Sequence, residues 1–294
     1  MSASGARGFS LVEFMVSTVL LLVLMASVFT ILSKYQKQYQ GQQLGAEVLS
    51  DVNSTMELLS QEIGQAGSFG FASRNLSGAV VSGAAAQWVA ISSVADIFVG
   101  ERLLVDAGAS EELVTVTGVN ATSIQGIFQN SHPLVSGTGA VVNAMGAFTE
   151  GVLTSSTATT LQLYGDVNGD GTLVYVEYNC DLGTGTLTRT ITPITAGVQS
   201  TKRVMLQGLQ ANPNTTACFL YRTKTVGTIT STVEVWVTLT SRAAAPDPET
   251  KTYRSNTSSL IVSLRNVLAG LDLAQNMPNR VQSRPTGLPL SPGS

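Results

Sequence analysis

The chain has 294 residues, 12% charged and 44% hydrophobic, with a formal net charge of −3, so it carries no basic footprint for nucleic acid. Its single histidine, His132, excludes multi-histidine metal centres and leaves one candidate base for serine-type hydrolysis. Abundant Ser, Thr, Gly and Val favour a β-rich exported body over a helical cytosolic one.

Residues 1–8, MSASGARG, are too short and polar to fold and read as a leader. From Phe14 to Leu32 there is no charged residue. That run makes about 28 Å of helix, close to the thickness of a bilayer's hydrocarbon core. Lipid leaves a single apolar run no choice but a helix, because its backbone polar groups must be satisfied internally. Glu13 stands directly before the run. A carboxylate at the bilayer centre costs about 2–3 kcal/mol unless it finds a partner. The plain alternative is that Glu13 snorkels to the headgroups.

The stretch GFSLVEFMV resembles the type III signal of type IV pilins and pseudopilins: a short leader ending in Gly8, then Phe9, then Glu13 as the fifth residue after the junction. Ordinary signal peptides are cut after their apolar region, not before it. The resemblance implies cleavage between Gly8 and Phe9 by the prepilin peptidase and N-methylation of Phe9. It also implies pairing of Glu13 with the new ammonium of a neighbouring subunit. Arg7 before the span and Lys34 and Lys37 after it leave the positive-inside rule undecided. The resemblance puts the amino end in the cytoplasm, where the peptidase acts, and the body in the periplasm.

Beyond the span, Leu44, Val48, Val52, Met56, Leu59 and Ile63 recur at helical spacing with polar residues between them. The pattern predicts one long helix over 9–66, membrane-spanning to about residue 32 and amphipathic thereafter, closed by Gly64 and Gly67. Gly41 and Gly45 each cost about 1 kcal/mol against alanine and mark either a hinge or two tolerated residues. The segment ELLSQEIGQAGSFGF (57–71) is similar to the helix end in PilW-type minor pilins and in J-type pseudopilins.

Residues 72–86 read as a connector. Short strand-like runs over 87–147 predict a β module inserted into the body. His132 precedes Pro133 there, in a predicted loop with no nucleophile motif beside it. An antiparallel β body is expected over 151–268. Within it, Asp166, Asn168, Asp170, Thr172 and Glu177 match the spacing of a calcium loop, whose hard oxygen ligands suit Ca²⁺. The Asn-Gly and Asp-Gly pairs fit a plain hairpin turn equally well, and that turn would strand Glu177 several residues up a strand. Cys180 and Cys218 pair as a disulfide if the body is exported, with two buried thiols as the alternative. In VEVWVTLT and LIVSLRNV alternate apolar residues share one face. The pair is similar to the end of PilW-type minor pilins, closing at Leu264, Arg265 and Asn266. Residues 270–294, rich in Pro, Ser and Gly, read as a flexible tail.

The expected fold is therefore α+β and pilin-like: one long helix packed on an antiparallel β body, with a β module inserted. The resemblance implies a structural minor pilin and not an enzyme, held in the inner membrane and then in the pilus. Its partners would be prepilin peptidase, other pilins, the inner-membrane assembly machinery and membrane lipid, with Ca²⁺ a candidate cofactor and no organic cofactor expected. The alternatives are a minor pseudopilin of type II secretion and a membrane-tethered Ca²⁺-dependent adhesin.

Overall fold

The computed structural model describes residues 10–70, 72–144, 146–195 and 202–288. Gly8 and Phe9 lie outside the described residues. Helix α1 is unbroken over Leu11–Gln65. It contains no proline, and Gly64 falls within it. Gly67, at φ 75°, takes the left-handed conformation that ends it, and its N–H bonds to the Tyr164 carbonyl at 2.8 Å.

The chain divides into two units. The first comprises residues 1–50 and 242–256. Within it every residue of α1 from Leu11 to Gln40 is exposed except Thr18. Leu11 to Leu32 turn apolar side chains outward on all sides, the pattern of a helix long and apolar enough to cross a membrane. The first buried residue of α1 is Gly41, where a Cβ would stand 2.6 Å from Asp247 Oδ2. Gly45 meets nothing within 4 Å. Gly41 is thus a close-approach position, while Gly45 is only tolerated. The turn at 247–252 makes the contact. Asp247 Oδ1 accepts the amides of Glu249 and Thr250 at 2.9 and 3.2 Å, and Oδ2 pairs with Arg254 at 2.7 Å.

The second unit comprises residues 51–241 and 257–294. Its part of α1 buries Val52, Met56, Leu59 and Ile63, the apolar stripe read from the spacing. The β module is larger than expected. It holds β1 (Arg74–Asn75), β2 (Gln87–Ala90), β3 (Arg102–Val105), β4 (Glu112–Thr115), β5 (Gly118–Val119), β6 (Ser123–Gly126) and β7 (Val141–Ala144). These form two antiparallel sheets, β1-β7-β3-β4 and β2-β6-β5. The connector belongs to this module: Leu76 and Val80 are buried in its core and bridge to Ile91 and His132.

After β8 (Ala147–Phe148) comes the body: β9 (Thr160–Gly165), β10 (Val174–Asp181), β11 (Thr186–Pro193) and β12 (Arg203–Gln207) in the antiparallel order β12-β11-β10-β9. A second sheet holds β13 (Leu209–Gln210), β14 (Phe219–Val226), β15 (Ile229–Pro246) and β16 (Tyr253–Ser263), ordered β13-β15-β14 with β16 also on β15. Val233, Val235, Val237 and Leu239 bury the face that alternation assigns to them. A Cys180–Cys218 disulfide ties the end of β10 to the start of β14.

Residues 270–288 are built into the fold, contrary to the tail expected over 270–294, of which 289–294 lie outside the described residues. Helix α2 (Arg265–Asn276) buries Val267 and Leu271, and Gly270 is required because a Cβ there would overlap the Phe148 carbonyl. Then β17 (Val281–Gln282) pairs in parallel with β8. Gln282 closes two bonds on the module: its Oε1 accepts the Arg102 amide at 2.9 Å and its Nε2 donates to the Arg102 carbonyl at 2.7 Å. Leu288 joins Phe98, Phe148 and Tyr164 in one core cluster.

Candidate functional site

The open end of α1 is built by Ser10 and Glu13. Ser10 occupies the N-cap position, and its carbonyl accepts the Phe14 N–H at 3.1 Å. Glu13 reaches back so that Oε2 accepts the Ser10 N–H at 3.2 Å. This is one arm of a capping box, and it satisfies an amide that the helix itself cannot. The S-x-x-E spacing of Ser10 and Glu13 is the sequence signal for it. The carboxylate is thereby held beside the residue that directly follows Phe9, at the foot of the apolar rod.

The residues with calcium-loop spacing divide between two places. Asp166 and Asp170 share the turn between β9 and β10. Asp166 accepts the amides of Asp170 and Gly171 at 3.1 and 2.9 Å, and Asp170 accepts that of Thr172 at 2.8 Å. Gly169 and Gly171, at φ 69° and 85°, supply the left-handed residues the turn needs. Asn168 lies in the same turn. Glu177 stands on β10 opposite Gln162. Its Oε2 accepts the Tyr175 hydroxyl at 2.7 Å and the Gln162 amide at 3.1 Å. Among the described residues, no group of three or more His, Cys, Asp or Glu side chains could hold a metal ion.

His132 is fully buried in the module, between two carboxylates that sequence spacing did not reveal. Its Nδ1 lies 2.9 Å from Asp106 Oδ2 and its Nε2 2.7 Å from Glu112 Oε1. Glu112 also accepts the amides of Gln129 and Asn130 at 2.6 and 3.1 Å. The bond from His132 is the main reason the Asp106 carboxyl is held below its ordinary pKa. With both ring nitrogens occupied, His132 offers neither as a base to a hydroxyl, and the trio instead pins β3, β4 and the 129–132 loop together.

A second buried acid of the module is Glu101, with no exposed surface. Oε2 accepts the Phe98 amide at 3.1 Å, while Oε1 has no hydrogen-bond partner. Burial pushes its pKa up to about 8. Asp96 is also raised, first by burial, with the Asp170 and Asp166 charges adding to the rise.

The chain matches no protein-family model, no curated protein and no solved structure.

Proposed function

We propose that this chain is a structural minor pilin of the PilW type. It is trimmed between Gly8 and Phe9, anchored in the inner membrane by α1 with its body in the periplasm, and incorporated into a type IV pilus or used to prime its assembly. The observation that carries this reading is the foot of α1. A lone carboxylate, Glu13, is fixed by the Ser10 amide at the start of an apolar helix with no buried residue before Gly41. Cleavage after Gly8 would create an ammonium one residue from that amide. A carboxylate so placed is costly in lipid until it is paired. Pairing with the ammonium of an adjacent rod gives the helices a polar lock where lipid supplies no hydrophobic drive to associate.

Mass spectrometry of the mature amino terminus tests the proposal. The expected product begins at Phe9 with a single added methyl group, and retention of residues 1–8 would overturn the pilus reading. Glu13→Ala should still insert in the membrane but be absent from sheared filaments, and its normal incorporation would count against the lock.

A further inference from the structure

The first unit contains both the apolar rod and a hairpin turn, and the two meet at Gly41. That residue lies nine positions beyond Leu32, the last of the uncharged run. At helical rise this is about 14 Å above the hydrocarbon core. The headgroup layer occupies about 5–8 Å of that height. Asp247 is seated against Gly41, so the turn at 247–252 stands about 8 Å above the headgroups, roughly one Debye length in physiological salt.

The charges at this level are mostly of one sign. Lys34 and Lys37 project from α1, and Lys251 from the turn. All three are exposed, and none has an ion pair among the described residues. Arg242, also exposed, lies over the Tyr253 ring at 4.8 Å and keeps its charge. Arg254 is neutralised by Asp247, which leaves Glu249 as the one opposing charge in the turn. This basic cluster sits in a chain whose sum is −3. Tyr35 and Tyr39, 65% and 69% exposed, occupy the same stretch. Amphipathic rings of this kind settle at headgroup level.

We propose that the turn at 247–252 and residues 34–41 of α1 form a collar that binds the anionic phospholipid headgroups of the membrane carrying the helix. The collar rests on the reading of α1 as a membrane anchor. It would fix the height and roll of the first unit at the lipid surface, each lysine near an anionic surface favouring the docked state by about fivefold.

The test is amide hydrogen exchange on the full chain in nanodiscs of phosphatidylcholine alone or mixed with phosphatidylglycerol. Amides of 247–256 should exchange about fivefold or more slowly in the anionic discs. That protection should vanish at high salt and in Lys251→Glu, with β10 and β11 unaltered. The Lys34→Glu/Lys37→Glu variant, which leaves the hairpin untouched, should weaken it as well. Equal exchange in the two discs would overturn the collar alone. Protection by inorganic phosphate in neutral discs would overturn the lipid assignment. A chain that enters neither disc would overturn the anchor and the collar together.

Discussion

Arg189 of β11 donates to both carboxylate oxygens of Glu62 on α1, joining residues 127 positions apart in the chain. Tyr178 of β10 donates to the same carboxylate at 2.5 Å. Burial first, and then the Glu62 charge, hold the Tyr178 phenol above its ordinary pKa. Side-chain exposure is 3% for Glu62 and 13% for Arg189, so the pair is largely out of water. Removing one partner of such a pair strands the other charge. Arg189→Ala should cost about 3–5 kcal/mol in denaturant unfolding of the detergent-solubilised chain, and Glu62→Leu/Arg189→Leu should recover most of that loss.

Glu101 sets a pH dependence of known sign. Its carboxyl titrates at about 8 in the fold, against 4.5 ordinarily. Between those values the folded chain holds a proton that the unfolded chain has lost, so stability falls as pH rises, by up to about 1.4 kcal/mol per pH unit. Glu101→Gln should flatten that slope and raise the melting temperature at pH 8. An unchanged slope in thermal melts from pH 5 to about 8 would remove Glu101 from the account.

Gly41 and Gly45 of α1 should answer oppositely to alanine. At Gly45, where nothing lies within 4 Å, the gain should be about 1 kcal/mol of helix propensity. At Gly41 the new methyl meets the Asp247 carboxylate, and overpacking should cost about 1–3 kcal/mol. Exchange of the 247–252 amides in the two variants checks both.

Asp166 accepts two backbone amides of its own turn. Asp166→Ala should therefore lower stability by about 1–3 kcal/mol in EDTA. Repeating the melts in millimolar Ca²⁺ isolates any ion: a stabilisation of wild type that is absent from Asp166→Ala and retained by Glu177→Gln would place Ca²⁺ in the turn without Glu177.

The helix was legible because its stripe repeats through Val52, Met56, Leu59 and Ile63, and a 3.6-residue period survives polar interruption. The connector and the tail were not. Each contributes only a few isolated apolar core residues, Leu76 and Val80 in the connector and Leu271 and Leu288 in the tail, among small or polar neighbours. Such isolated residues leave no period to read. His132 was visible, but its partners come from Asp106 and Glu112, brought together only by the pairing of β3 with β4. The calcium-loop spacing alone would keep Glu177 at the turn, whereas the hairpin alternative puts it up a strand. The eight residues of β10 carry it away from the turn and toward Tyr175, two positions back on the same face.

The grip of Gln282 on Arg102 has a consequence for biogenesis. The module's strands are all made by residue 144, yet β17, which carries Gln282, is synthesised well after them. A nascent chain must therefore carry the module's strands before the bonds of Gln282 to Arg102 can close. Losing Gln282 would therefore loosen a module whose strands are already paired, rather than keep those strands from forming.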